Sequence, residues 1–326
     1  MSSLNIRGTE LPRAWGQSGA QAVSLRAGVY PYELFWPWKQ AARRLEQDDV
    51  VSVIKSLAYD PITGNTLLKP NGETPLRLKP TSMALDFWTM TTLNCWGHSG
   101  IGLLNTLRKH VWDGVRATKY WVLSLVSDKP KLMDKKDEFE QMCDRLEEFD
   151  YSFQSWPIIE IVAACPNVEI SMGNILKDNP HVIRVVRERF PEAIIGANIS
   201  PVAPTDAFKA AQDAGADYVA ICNTYPHGHP DLPENIPWRS KSPLVRYGFK
   251  PGGYSGPFCA PLIIKKVETV APELTVPVGF GNGFYTTELI RQGYAAGGAF
   301  ARVGGMVKLY RPWRIPGLVH TANTYR

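Results

Sequence analysis

The chain has 326 residues, of which 44% are hydrophobic and 21% charged, so it can bury a large core and is not disordered. Its formal net charge of +5 comes from scattered Lys and Arg, which leaves no case for nucleic acid and suits a small anionic ligand. No apolar run approaches the ~20 residues of a bilayer span, and no metal or disulfide pattern is present: the five cysteines (Cys95, Cys143, Cys165, Cys222, Cys259) lack a CxxC pair or zinc spacing.

Residues 1–18 are polar and lack the apolar region of a signal peptide, so a reduced, cytoplasmic location is expected, without membrane attachment. Short β-rich runs then alternate with helical patterns almost from end to end. The predicted strands are 22–25, 50–55, 121–126, 158–163, 193–199, 218–223, 275–280 and 298–303. Several are unbroken Val/Ile/Ala runs, as expected for parallel strands covered on both faces. Between them, Phe139, Met142, Cys143, Leu146 and Phe149 recur on one helical face. Asn179-Pro180 opens a helix running to Arg189, with Pro in its first turn. Thr205 and Asp206 start another that ends at Gly215, and Thr286/Thr287 and Gly293 bracket a short one. The connections 58–119 and 225–256 are long enough to be lids or binding loops. With no repeat or linker, the expectation is an α/β fold: a single (β/α)8 TIM barrel domain over 1–326, with long βα loops above its C-terminal face. A doubly wound open sheet is the competing architecture.

Active sites of such barrels lie at the C-terminal ends of the strands. Unusual residues cluster there: Lys55 after the second strand, Cys165-Pro166-Asn167 after the fourth, Asn198 ending the fifth and Asn223-Thr224 ending the sixth. Gly279, Gly281 and Gly283 accompany the seventh, and Gly304-Gly305 follow the eighth. Glycines at these two places let backbone N–H groups approach a phosphate. Arg302 beside them either assists or faces a helix. Cys165 is the candidate base, because a thiol of pKa ~8.5 serves only in a dry, electropositive site; the alternative is a small buried thiol. Asn94, Asn167, Asn198 and Asn223 carry amides suited to the edges of a flat heterocycle, although any one could cap a turn. His98 is read as substrate-facing. His227 and His229 form an H-x-H pair without a third ligand, so a solvated loop is expected rather than a metal site. The aromatic segment 35–38 is read as core or interface.

These residues in this order resemble the dihydroorotate dehydrogenase family, over about 27–306. "IKSLAYDPITGN" (54–65) is similar to its lysine-threonine segment, "NCWGHSGIG" (94–102) to its Asn-x-Met-Gly loop, and "AACPNV" (163–168) to the loop holding the catalytic base. "ICNT" (221–224) and "GGYSGP" (252–257) resemble two further motifs of the family, ahead of the glycine pairs. The resemblance implies FMN as cofactor, held by Ala27, Gly28, Lys55, Ser56, Asn198, Thr224, Gly252 and Gly253, with its phosphate on Gly281, Asn282, Gly283, Gly304 and Gly305. It implies a substrate ring held by Lys55, Asn94, Trp96, Gly97, His98, Asn167, Asn223 and Thr224. A Cys at the base position is similar to the class 1 enzymes, with Cys165 taking a proton from one ring carbon while hydride passes from its neighbour to the flavin. Lys55 and Cys165 are then the catalytic pair, a soluble molecule such as fumarate reoxidises the flavin, and a homodimer of pyrimidine biosynthesis is implied.

Three positions depart from the family pattern. Val162 stands where the strand-four motif has Asn, which removes an amide, and losing one hydrogen-bond partner can cost orders of magnitude in discrimination. Asn198 stands where the family has a strand-five Lys, and losing that cation makes the reduced, anionic flavin harder to form, lowering its potential. Trp96 replaces Met and reshapes the pocket. The expected function is therefore oxidation of dihydroorotate or a similar cyclic amide. The alternatives are an ene-type reductase of another ring, in pyrimidine catabolism or secondary metabolism, and a non-redox barrel binding a phosphorylated ligand.

Overall fold

The computed structural model describes residues 2–18, 22–26, 28–77, 79–116, 118–150, 153–163 and 172–325. It begins with an antiparallel hairpin, β1 (Ser3–Ile6) and β2 (Thr9–Pro12), in the register Ser3 to Pro12. The strands that follow are β3 (Ala14–Gly16), β4 (Ser52–Val53), β5 (Met83–Asp86), β6 (Thr91–Asn94), β7 (Trp121–Leu125), β8 (Ile158–Ala163) and β9 (Ile195–Ile199). Then come β10 (Tyr218–Ile221), β11 (Tyr225–Pro226), β12 (Gly253–Ser255), β13 (Val278–Phe280) and β14 (Phe300–Val303). Eight of these form one parallel sheet in the order β3, β14, β13, β10, β9, β8, β7, β4. Its two ends meet through a parallel bridge between Trp15 and Val51, where Gly16 N–H donates to the Val51 carbonyl at 2.7 Å and Val51 N–H to that of Ala14 at 3.0 Å. The sheet is thereby closed into a (β/α)8 barrel.

Alternation along the strands sorts side chains into two cores. The inward set includes Val53, Val122, Ile158, Tyr218 and Phe300, with Leu4, Ile6 and Leu11 of the hairpin packed beneath as a plug. Trp15 stacks on Phe300 with ring centroids 4.2 Å apart and meets Tyr218 edge-on at 5.0 Å. Gly196 and Gly279 make room for these rings, since a Cβ would lie 1.9 Å from Tyr218 and 2.2 Å from Phe300. The outward set (Leu123, Ile159, Ile161, Ile195, Val219 and Phe280 among others) packs on the surrounding helices.

Those helices are α1 (Trp38–Leu45), α2 (Leu103–Arg108), α3 (Leu132–Glu148), α4 (Met172–Arg189), α5 (Thr205–Asp213), α6 (Cys259–Val270), α7 (Thr287–Ala295), α8 (Met306–Tyr310) and α9 (Ile315–Thr324). On α3 the predicted stripe holds, with Phe139, Met142, Cys143 and Leu146 all buried. Thr286 caps α7 by accepting from Leu289 N–H, and Gly215, at φ +105°, follows α5. The seam between β3 and β4 is stitched by α9: Asn323 Oδ1 accepts from Ala14 N–H at 2.9 Å while its Nδ2 donates to the Asp49 carbonyl at 2.8 Å.

Two expectations are corrected, and a third segment is described. The first barrel strand is Ala14–Gly16, not 22–25: Leu25 sits at φ +60°, and the Val23 carbonyl accepts from the Trp112 indole at 2.8 Å, so this apolar run is a packed loop. Pro180 does not open a helix but lies inside α4, which starts at Met172. In segment 35–38, Phe35 and Trp36 are largely exposed, and Trp38 is held by its indole donating to the Leu309 carbonyl at 2.9 Å. The two long connections pair with each other as well: β5 and β6 from the first join β12 and β11 from the second in a four-stranded antiparallel sheet above the barrel mouth. No helix of the described residues is long and apolar enough to cross a membrane.

Candidate active site

At the C-terminal ends of the barrel strands lies a cavity of about 1210 Å3, counted out to its open mouth. Its floor is built by inward positions of the strands: Val162 on β8, its register partner Asn198 on β9, Arg302 on β14, and Cys222 just beyond β10. Lys55 and Ser56, which follow β4, form one wall. Asn94 at the end of β6, with Trp96, Gly97 and His98, comes down from the upper sheet. Asn223 and Thr224 close a third side, and Asn282, Gly283, Gly304 and Gly305 a fourth. Most of the predicted site is therefore brought together.

Burial governs the electrostatics. The Lys55 ammonium is pushed down to about 7 by desolvation, against the opposing pull of Glu73. It donates to the Ser99 carbonyl and stands 5.3 Å above the Trp96 ring centroid. His98 is pushed down to about 4, first by burial and then by the Lys55 charge, so its imidazole is neutral at ordinary pH. Ser56 Oγ is shared with Ser124 Oγ at 2.9 Å, and Gln17 Nε2 donates to the Cys222 carbonyl at 3.0 Å. Asn282 Nδ2 ties two loops together, donating to the Asn223 carbonyl at 3.1 Å and that of Tyr254 at 3.3 Å.

The cavity is unusual in what its groups lack. Among the described residues, eight buried side-chain N or O atoms have no hydrogen-bond partner, and five of them line this cavity: Trp96 Nε1, His98 Nδ1, Thr224 Oγ1, Asn282 Oδ1 and Arg302 Nε. Buried polar groups are nearly always paired, so a concentration of orphans marks a place shaped for a polar ligand. Gly283 adds a close backbone approach: at φ +95° a Cβ would lie 2.5 Å from the Gly256 carbonyl oxygen. Unpartnered donors and acceptors gathered on one cavity fit a polar, nucleotide-like group such as FMN.

Other predicted residues stand elsewhere. Gly28, Gly252, Gly253 and Gly281 do not line the cavity. Gly28 N–H donates to Glu33 Oε2 at 2.8 Å. Gly252, at φ +86°, backs the loop, since a Cβ there would meet the Asn94 carbonyl oxygen at 2.6 Å. Gly253 pairs with Asn94 in the upper sheet, and Gly281 packs between Arg302 and Cys222. Ala27, Cys165 and Asn167 lie outside the described residues. Arg302, which the sequence left open toward a helix, instead faces inward. His227 Nε2 is bound to the Trp238 carbonyl at 2.9 Å and its ring stacks on Tyr254, while Gly228 is exposed and His229 half-buried, so the H-x-H segment is a partly solvated loop anchored at His227. Tyr30, Met83 and Tyr285 line the cavity without having been singled out in the sequence, and no motif marks them; Ser255 lines it from within the GGYSGP stretch.

Comparison with known proteins places this architecture. No family model matches the chain. The catalytic subunit of dihydroorotate dehydrogenase B (NAD(+)) from Carboxydothermus hydrogenoformans is 27% identical over 190 residues, 55% of this chain and 59% of that protein. Its counterpart from Brachyspira hyodysenteriae is 24% identical over 228 residues, 68% of this chain and 66% of that protein. The matches thus span about three-fifths of these relatives' own length. Among solved structures, DHODH from Eimeria tenella in complex with ferulenol superimposes with a TM-score of 0.66 at 13% identity, covering 98% of this chain and 83% of that one. The ligand-free form gives 0.67 at 14%, covering 98% and 85%. Fold and site together define a (β/α)8 barrel with a polar ligand cavity at its C-terminal face. In sequence the chain is similar, at 24–28% identity, to catalytic subunits of dihydroorotate dehydrogenase B, and in fold to the solved DHODH structures.

Proposed function

We propose that the chain is an FMN-dependent oxidoreductase that removes hydrogen across a C–C bond of dihydroorotate or a closely similar cyclic amide. The observation that carries this reading is the convergence of five unpartnered buried polar atoms on the cavity at the barrel mouth. Asn282, Gly283, Gly304 and Gly305 would hold the flavin's phosphate, and Ser56, Asn198 and Thr224 would meet its ring. Bound there, the flavin would supply a two-electron acceptor, later reoxidised by a soluble partner.

The remaining steps belong to this chain's side chains. Lys55, short of solvation, gains most by pairing with a substrate carboxylate, which restores its charge. Asn94 and Asn223 offer amide edges to the ring's C=O and N–H groups. The Trp96 indole N–H and the neutral His98 add donors without adding charge. Cys165 is proposed as the base that accepts the ring proton, with Asn167 beside it. Val162 presents a methyl face at the floor, where an amide would have bonded a polar ring edge. That supports a second reading, in which the ring oxidised or reduced has one polar edge fewer than dihydroorotate.

The test is anaerobic mixing of the purified protein with dihydroorotate while the flavin band is followed. Rapid bleaching is expected, slowed by orders of magnitude in Cys165→Ser with flavin content unchanged. A colourless protein that FMN does not reconstitute refutes the flavin site. A yellow protein left oxidised by dihydroorotate, but bleached by an uncharged dihydropyrimidine, selects the second reading.

A further inference from the structure

The cavity floor carries a buried ion pair with a definite orientation. Arg302 and Glu160 both occupy inward positions and are both inaccessible to solvent. Arg302 Nη1 donates to Glu160 Oε1 at 3.0 Å, and Nη2 donates to Oε2. The same carboxylate accepts from the Tyr218 hydroxyl at 3.0 Å and, more weakly, from Asn198 Nδ2 at 3.5 Å. Glu160 sits one inward position below Val162 and does not reach the cavity; Arg302 does. The pair therefore points its negative end toward the plugged base and its positive end toward the ligand space.

Glu160 occupies both terminal nitrogens of the guanidinium and leaves Nε–H, which is buried and has no partner. An unmet buried donor is unfavourable, more so when charged, so the arrangement is explained if a ligand acceptor completes it. Of the neighbouring groups, the Asn198 Oδ1 accepts from the Cys222 thiol at 3.4 Å, and that sulfur also lies in hydrogen-bonding contact with the Arg302 side chain, though it does not partner Nε. Nor do they match its charge. Burial opposes the Arg302 charge, but Glu160 outweighs that and holds the guanidinium above its ordinary value, whereas Lys55 titrates at about 7.

We propose that Arg302 contacts the flavin directly, its free Nε–H meeting the carbonyl and ring-nitrogen acceptor edge of the pyrimidine portion, and that its charge stabilises the negative charge the ring gains on two-electron reduction. Glu160 and Tyr218 are positioning residues that fix the guanidinium plane. The cation absent at Asn198 is thereby supplied from β14, across the barrel. This inference rests on the flavin reading above.

The test is the midpoint potential of the flavin-loaded protein, measured by dye-linked anaerobic reduction. Arg302→Gln is expected to shift the equilibrium at least tenfold toward oxidised flavin, about 30 mV for a two-electron couple. Arg302→Lys should retain most of the charge effect, and Glu160→Gln should shift the potential the opposite way. Should Arg302→Gln misfold, the double variant Arg302→Met/Glu160→Gln replaces the pair with neutral groups, a change buried pairs often tolerate, and the same downward shift is expected. Flavin-loaded variants with the wild-type potential would overturn this proposal alone. A wild-type chain that binds no flavin would overturn it together with the reading on which it rests.

Discussion

The depressed Lys55 makes anion binding depend on pH with a sign and size that can be worked out. In the free protein its ammonium titrates at about 7, because burial disfavours the charge. A carboxylate in contact would return it toward its ordinary value of about 10.4, so apparent affinity tracks the fraction of free protein already protonated. For a group titrating at about 7, that fraction falls roughly 30-fold between about pH 6 and about pH 8.5. His98, titrating at about 4, stays neutral throughout and adds nothing to the slope. Stability of the unliganded protein should move the other way. Above about 7 the unfolded chain holds a proton on Lys55 that the folded chain has released, so stability rises with pH until the unfolded lysine also titrates. The assay is calorimetric titration with orotate across that pH window. Lys55→Met should bind weakly with no such slope. A wild-type affinity that is flat across the window refutes the assignment of Lys55 as the carboxylate partner.

Two further perturbations probe the scaffold. Gly283→Ala forces a methyl against the Gly256 oxygen at 2.5 Å and the Ala260 nitrogen at 2.7 Å, at φ +95°. Both obstacles are backbone, so strain and overpacking together should cost roughly 2–4 kcal/mol; scanning calorimetry should show a lower Tm, with weakened FMN retention. Lys135→Met removes one partner of the half-buried ion pair with Asp178 that joins α3 to α4. Because Asp178 keeps some solvent, about 1–3 kcal/mol should be lost, read as a fall in the urea midpoint, with partial recovery when Asp178→Leu is added; a midpoint unchanged by Lys135→Met would contradict the pairing.

Much of the barrel was legible because its strands are rich in Ile, Val and Ala, as in Ile158–Ala163 and Ile195–Ile199, each interrupted by a single polar residue, Glu160 or Asn198, as suits a parallel sheet covered on both faces. Ala14–Gly16 escaped because three residues cannot show a period, and 22–25 mimicked a strand because its apolar side chains pack under a loop. Pro180 misled for a local reason: proline is usual in a first turn, and only the tertiary packing of α4 shows it within one. The upper sheet pairs Asn94 with Gly253, residues brought together by folding alone, so no local pattern announces it. For the candidate site, asparagines and glycines at strand ends marked where the cavity lies and part of its wall, while other lining residues, such as Gln17, Met83, Phe284 and Val307, carried no sequence signal. Arg302 and Glu160 left a usable signal: each shares the alternation of inward neighbours, Phe300 for one and Ile158 and Val162 for the other. Opposite charges at inward positions of two strands imply a pair inside the barrel, whereas proximity to the glycines alone left Arg302's direction open.

The stitching of the seam by Asn323 bears on how the chain is made. Ala14 and Asp49 lie close together in sequence, yet the side chain that bridges them follows Ala14 by 309 residues. Without α9, the β3–β4 seam keeps the Trp15–Val51 bridge and the bond from Ser18 Oγ to the Ile54 carbonyl at 3.2 Å, but loses the Asn323 clasp. Full closure of the ring is therefore expected to wait for α9, the element synthesised long after the strands it joins.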